Sequence, residues 1–456
     1  MSYIEPLEAI SPLDGRYREI IVNLAEKFSE EGLINRRGMV EIKYLILLTE
    51  KILPDLAAGV KMAMGPVDLN TQAARRVKEH EARTNHDVAA LVLVLQEIVL
   101  DRGCPELAPL VHNPLTSEDT NNLSYALQLR DALEEDIIPA LKTVYDLLRE
   151  HALTWADHPM LARTHGQPAS PTTLGKEYNI FAQRLKRQLD QLLRIEMLVK
   201  FNGASGNYNA HVLTFPEIDW VEFTKEFVES FNFIGSIRFV SNFVTTQIES
   251  HDTFAELFDL MKRICTVLTD CCQDTWRYIS DEWIIQKVMG AEVGSSTMPH
   301  KVNPINFENA EGNLMKATAL FEMFSRELPR SRLQRHLSDS TIIRSFGEAF
   351  GHLLVALKSI EKGLKKIEAN PKKMLDDLNK HPEVISEVIQ TVLRREGLES
   401  AYDDVKKAMR GRKLSLAEIW DIVDGMKVGD EVKKKLRGLT PKSYIGLAPQ
   451  LARLEQ

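Results

Sequence analysis

Two long stretches of the chain repeat apolar residues on a heptad. Between 254 and 271, Phe254, Leu257, Met261, Ile264, Leu268 and Cys271 follow one another at alternating steps of three and four. Between 346 and 367, Phe346, Phe350, Leu353, Leu357, Ile360, Leu364 and Ile367 do the same. A strand, with a side-chain period of two, cannot keep such a stripe on one face; a helix can. At about 1.5 Å per residue each run spans roughly 30 Å. Stripes of this kind pack at shallow crossing angles into bundles, within one chain or between chains. The stretches 120–155 and 172–200 are also helical in composition. Pro139 should kink or end the former, and Asp252 is placed to cap the 254–271 helix.

No strand–turn–helix phosphate loop and no G-x-G-x-x-G interrupts this pattern, so a doubly wound βαβ fold is excluded. The expected fold is all-α, in three helical domains. A small N-terminal part covers 1–114, a long central bundle 115–367, and a small C-terminal part 368–456. The last begins at Asn370-Pro371 and is broken at Gly411 and Pro441.

Composition narrows the partners. A formal charge of -8 carries no basic bias of the sort that binds nucleic acid, yet a few convergent Arg and Lys residues still suffice for a small anion. No apolar run approaches a membrane span, and the first residues lack the basic-then-apolar order of a signal peptide. The cysteines Cys104, Cys265, Cys271 and Cys272 have no C-x-x-C spacing, and the last three fall on one helical pattern as core thiols. The histidines show no H-x-x-x-H pair. A cytoplasmic protein is expected, with no metal, no cofactor, no nucleic acid and no membrane.

Chemistry is sought where polar and small residues interrupt the helices. The segment 290–306 carries Ser295, Ser296, Lys301 and Asn303 between glycines and prolines, which suits a binding loop or a plain one. Arg163-Thr164-His165-Gly166-Gln167-Pro168 precedes a long helix, whose N-terminus would favour an anion. Arg83-Thr84-Asn85-His86-Asp87 places another histidine among charged and amide groups. Thr116-Ser117-Glu118-Asp119, with Asn121 and Asn122, is rich in hydrogen-bonding groups, but reads equally as an N-cap with an acidic first turn. Arg330, Arg332, Arg335, Ser340 and Arg344 form either a phosphate site or a solvated basic face.

These islands acquire a common meaning through a resemblance. Gly294, Ser295, Met298, Lys301 and Asn303 match the G-S-x-x-M-x-x-K-x-N signature of the fumarase/aspartase superfamily. The Met298-Pro299-His300-Lys301 form resembles its adenylosuccinate lyase branch. Ser11-Pro12-Leu13-Asp14-Gly15-Arg16-Tyr17, Gly206-Asn207-Tyr208-Asn209-Ala210-His211 and Thr245-Thr246-Gln247-Ile248-Glu249 resemble further blocks of that family. One departure is His112-Asn113-Pro114-Leu115, where relatives carry smaller residues.

The resemblance implies an anti β-elimination that releases fumarate from a succinylated purine-pathway nucleotide. It makes Ser295 the base and His165 the general acid, with His86 as a positioner and second choice for the acid. A serine needs help to lose its proton, which backbone N–H groups and Lys301 would give. Thr116, Ser117, Lys301 and Asn303 would hold the succinyl carboxylates. Arg16, Tyr17, Ser340 and Arg344 would hold the phosphate. Asn85, Asp87, Gln247 and Arg335 are further substrate contacts, and Glu308 would orient His165. The phosphate set separates this reading from argininosuccinate lyase or fumarase. The intact Ser295, Lys301 and His165 separate it from a structural helical protein. The resemblance also implies a homotetramer whose active sites are shared between subunits, one chain supplying the Ser295 loop, another His165 and a third Thr116-Ser117.

Overall fold

The computed structural model describes residues 5–65, 69–232, 235–287, 298 and 301–455. In chain order the elements are α1 (Arg18–Phe28), α2 (Glu30–Ile52), α3 (Pro54–Met64), α4 (Thr71–Thr84), α5 (Asp87–Asp101), α6 (Ser117–Ala132) and α7 (Ile138–Thr154). A hairpin of β1 (Pro159–Thr164) and β2 (Gln167–Thr173) follows, then α8 (Leu174–Leu192), β3 (Glu196–Val199), α9 (Asn209–Thr214), α10 (Trp220–Glu229) and β4 (Arg238–Ser241). Next come α11 (Asp252–Ser280), β5 (Ile284–Gln286), α12 (Ile305–Glu327), α13 (Ser338–Ile343), α14 (Phe346–Lys365) and β6 (Ile367–Ala369). Six short helices close the chain: α15 (Pro371–Asn379), α16 (Ser386–Arg395), α17 (Ala401–Met409), α18 (Leu416–Asp424), α19 (Asp430–Arg437) and α20 (Ala448–Arg453). The fold is mostly helical, as expected; its strands pair only two by two, β1 with β2, β3 with β4 and β5 with β6. No helix among the described residues is long and apolar enough to cross a membrane.

The chain forms two compact units: 1–142 with 188–266 and 312–358, and 143–187 with 267–311 and 359–456. It passes between them inside α7, α8, α11, α12 and α14, never in a loop.

The first heptad seam falls in α11 and the second in α14 as far as Leu364, its last residue Ile367 opening β6, and every residue named in them is at most 3% exposed. They are covered within one chain, so they serve the intramolecular bundle. In the first unit the seam residues Phe254, Phe346 and Phe350 join Phe258, Phe321 and Phe324. Phe258 lies 5.0 Å from Phe346, 5.1 Å from Phe324 and 5.9 Å from Phe321 between ring centroids. Such pairs add about 0.5–1.5 kcal/mol each beyond their buried area. The Pro139 expectation resolves into a π turn. Pro139 has no N–H, and over Leu133–Ile137 the helix widens, with the Ile138 N–H donating to Leu133 O. Asp252 is the first residue of α11 itself.

In the second unit His165 precedes the helix as expected, but it sits on a hairpin and not at the helix N-terminus. Pro159, Pro168 and Pro171 keep this segment out of a helix. His165 and Gly166 have φ of 53° and 74°, the two left-handed positions of a two-residue hairpin turn. The helix begins only at Leu174. At the hairpin's base the Leu174 N–H donates to His158 O and the Gly175 N–H to Trp155 O, both at 3.0 Å. The ladder shifts register after Met160, leaving a bulge near Ser170. There the Ser170 hydroxyl donates to Glu387, which also receives the Tyr444 hydroxyl at 2.9 Å. Arg163 lies over Trp283, 5.9 Å from the ring centroid.

Gly175 is the close approach that sets this base. A Cβ there would stand 2.3 Å from Ala152 O in the last turn of α7 and 2.5 Å from Ala156 N just beyond it. Gly175→Ala must therefore push α8 away. We expect a loss of about 1–3 kcal/mol in urea unfolding, the usual cost of overpacking. An unchanged midpoint would show that the helix ends part freely.

Candidate active site

The first unit gathers most of the polar islands through direct bonds. His86 caps α5, and its Nδ1 accepts the Ala89 N–H at 3.2 Å. That commitment puts the proton of the neutral ring on Nε2, on a side chain that is 51% exposed. Asn85, with φ 50°, ends α4 in the left-handed conformation that a short amide tolerates. Asp87 receives Arg37 at 2.9 Å and Arg344 at 3.4 Å, and Arg344 also reaches Glu30 at 2.6 Å. Burial pushes the Asp87 carboxyl up, but Arg37, the Val88 N–H and Arg344 outweigh it and hold the pKa below the usual carboxylate value.

A second cluster sits at the start of α6. Thr116 precedes the helix and Ser117 opens it, both half-buried. Asp119 reaches back to accept the Thr116 N–H at 2.9 Å. Glu118, 2% exposed, receives Arg335 at 2.9 Å and the Asn121 amide at 2.7 Å. Arg335 also donates to Gln247 Oε1 at 3.3 Å, and Gln247 Nε2 donates to Ala204 O at 3.1 Å. The Arg335 Nε is buried and, among the described residues, donates to nothing. Residues near 118, 247 and 335 are thus joined directly.

Arg16 is exposed and Tyr17 half-buried at the start of α1, where Tyr17 packs on the Leu13, Ile21 and Val355 cluster. A cleft of about 900 Å³ is lined by Ser11, Asp14, Arg18, Glu30 and Arg344 among others, so the N-terminal segment and Arg344 share one wall. Ser340 lies half-buried in α13, and Arg344 ends that helix.

The second unit carries the remaining site residues. His165 stands exposed at the hairpin tip. Lys301 is exposed, its N–H donating to Met298 O at 3.0 Å, and Asn303 is half-buried. Glu308 accepts the Trp276 indole N–H at 3.1 Å; no hydrogen bond joins it to His165 among the described residues, so the orienting role expected for it has no contact behind it. Ser295 lies outside the described residues.

Sequence reasoning passed over Arg37 and Lys200, which hold these groups, and took Glu118 and Asp119 only as part of the polar run that opens α6. One signal was available. Glu118, Asp119, Thr120, Asn121, Asn122, Ser124 and Gln128 are all buried, in a helix that shows no apolar stripe. A helical run that is polar all round must either be solvated or be saturated by partners.

His211 is another buried group of the first unit, with 0% exposure and neither ring nitrogen partnered among the described residues. Burial drives its pKa down to about 4. The folded ring stays neutral where an unfolded one, near 6.5, takes up a proton. Its depressed value therefore adds stability above pH 6.5 that is lost as pH falls toward 4, by about 1.4 kcal/mol per pH unit. His211→Phe keeps the edge contacts with Tyr208 and Trp220 and should flatten the fall in melting temperature between pH 6.5 and 4.5. Parallel curves for the two proteins would assign the acid lability elsewhere.

The comparisons with known proteins agree in direction. A family model described as "Lyase" matches residues 46–320, and one described as "Adenylosuccinate lyase C-terminal" matches residues 331–445. Adenylosuccinate lyase of Escherichia coli K12 is 43% identical over 454 residues, covering 98% of each chain. That of Vibrio cholerae is 42% identical over 457 residues, covering 98% of this chain and 99% of the other. That of Dictyostelium discoideum is 42% identical over 458 residues, covering 97% of each. Among solved structures, a fumarate lyase from Mesorhizobium sp. BNC1 aligns with a TM-score of 0.74 at 19% identity, over 94% of this chain and 96% of that one. The 3-carboxy-cis,cis-muconate lactonizing enzyme from Pseudomonas putida aligns at 0.71 and 21%, over 94% and 95%. At those identities the structural likeness speaks for the fold alone.

Proposed function

This chain belongs to the adenylosuccinate lyase family, and from that premise we propose that it cleaves adenylosuccinate to AMP and fumarate. The same site would split the succinylated aminoimidazole carboxamide ribotide, which shares the ribose phosphate and succinyl-amine ends. The observation that carries this reading is 42–43% identity to adenylosuccinate lyases over nearly the whole chain, with the signature from Gly294 to Asn303 intact.

The reaction is an anti β-elimination. Ser295 takes the proton from the carbon beside one carboxylate, that electron pair becomes the new C=C bond, the C–N bond breaks, and His165 returns a proton to the purine nitrogen. Negative charge builds on the succinyl carboxylate as the proton leaves. Thr116, Ser117, Lys301 and Asn303 as donors there would stabilise the transition state more than the ground state. Removing one such donor costs about 10²–10³ in rate at comparable sites. For the phosphate, Arg16, Tyr17, Ser340 and Arg344 are the proposed cradle, with Asn85, His86 and Asp87 completing the nucleotide contacts and Gln247 and Arg335 as further substrate contacts. The open Arg335 Nε supports a substrate contact there. Arg344 supports the cradle, since its pairs with Glu30 and Asp87 are partly solvated and therefore weak enough for a phosphate to displace.

A homotetramer with sites shared between subunits, acting in the cytoplasm, completes the proposal, together with the division of the chain at about 114 and 367. Large apolar side chains left exposed on long helices, among them Ile180, Trp276 and Met315, support assembly. Four free cysteines suit a reducing compartment.

The activity is tested by offering adenylosuccinate, argininosuccinate and malate separately and following fumarate by ultraviolet absorbance. Turnover of adenylosuccinate is expected, and turnover of either other substrate without it would overturn the reading. Site sharing is tested by mixing inactive Ser295→Ala and His165→Ala proteins, dissociating them mildly and reassociating them. Part of the activity should return, because some hybrid sites hold neither substitution. Mixed tetramers confirmed by mass but without activity would place both residues on one chain.

A further inference from the structure

Asp119 and Lys200 are 81 positions apart in sequence, their side chains are both 0% exposed, and they meet at 2.7 Å. A pair withdrawn from water this completely contributes little net stability, because desolvation offsets the attraction. What it does here is direct hydrogen bonds. Asp119 Oδ1 receives Lys200 Nζ and the backbone N–H groups of Asn202 at 3.0 Å and Gly203 at 3.2 Å, while Oδ2 receives the Thr116 N–H. Lys200 Nζ donates onward to Gly203 O at 2.8 Å. The Asn202 amide donates to Thr245 Oγ1 at 2.9 Å, and a Cβ on Gly206 would lie 2.2 Å from Thr245 O, so these two segments lie against each other. Ala204 O then holds Gln247, Gln247 meets Arg335, and Arg335 meets Glu118, the neighbour of Asp119. The bonds close a ring.

We propose that the Asp119–Lys200 pair is the positioning device of this site, fixing Thr116 and Ser117 against Gln247 and Arg335 so that they grip the dicarboxylate end of the substrate. Neither residue touches the substrate. Both act through the segments they tie, and the proposal rests on the activity proposed above. The ring anchors the two sides independently of the Asp87–Arg344 cluster, so its loss should be felt at the succinyl end and hardly at the nucleotide.

The test is the double variant Asp119→Asn/Lys200→Met, which removes both charges together and leaves no lone buried ion. Thr245→Val is made beside it; it cuts the Asn202–Thr245 strut at a half-buried position and keeps the side-chain shape. For each, kcat, KM and the product-inhibition constants of fumarate and AMP are measured next to wild type. We expect kcat/KM for adenylosuccinate to fall about 10²-fold in the double variant, the scale of a group misplaced by about 1 Å. Fumarate inhibition should weaken about tenfold, the scale of one charge-assisted hydrogen bond, and AMP inhibition should stay within about threefold. Thr245→Val should show the same split in weaker form. A merely structural role would lower the folded fraction, or move both inhibition constants alike, and either result overturns the proposal. If the double variant does not fold, Thr245→Val decides, and an unchanged fumarate constant there overturns the ring. A wild-type chain that does not cleave adenylosuccinate refutes the activity and the ring with it. Active wild type with unaltered variants refutes the ring alone.

Discussion

A carboxylate sealed from water has to be saturated with donors or the fold cannot hold it; unpaired, such an ion costs several kcal/mol. Asp119 meets that demand with one ammonium and three backbone N–H groups. The consequence runs outward. The start of α6 cannot move without the 200–203 segment, and that segment cannot move without Thr245 and Ala204. The same logic explains a helix that is buried yet polar. α6 lacks an apolar stripe because the Asn122 side chain bonds both Lys200 backbone groups, Thr120 donates to the buried Glu41, and Gln128 donates to Lys27 O. Here hydrogen bonding does the work that apolar contact does in α11 and α14.

Those two helices were legible from spacing alone, since a heptad stripe leaves few alternatives and burial follows from it. Pro139 was legible as a disturbance but not as a π turn, because a missing N–H can be absorbed in several ways. His165 was placed at the entry to the following helix, but the hairpin that carries it was not read. Its prolines and its His165-Gly166 turn were visible, but no alternating apolar pattern marked the strands. Of the site, the motif residues stood out as polar breaks between helices. Their mutual bonds did not, because Asp119 with Lys200, and Gln247 with Arg335, join positions some 80 to 90 apart in sequence with no local signature. Lys200 in particular reads from sequence as an ordinary surface cation.

The electrostatics of the arginines follows from their burial. Arg37 is 2% exposed and permanently tied to Asp87, so it acts as a fixed counter-charge. Arg344, 43% exposed, shares that same carboxylate at longer range. One carboxylate thus faces a structural cation and an exchangeable one, and losing the second costs little while the first remains.

The hairpin that carries His165 is in mechanical terms a lever. Its strands extend about 20 Å, at roughly 3.4 Å per residue. A tilt of about 3° at the base therefore swings the tip by about 1 Å, a displacement that can cost 10²-fold in rate. The pivot is the junction of Gly175 with the end of α7, braced at mid-length by Glu387 under the bulge. Aim at the tip is thus decided by a glycine at the far end of the hairpin, and a small side chain at a pivot sets the play of the tip as gear tolerances set that of a clock hand.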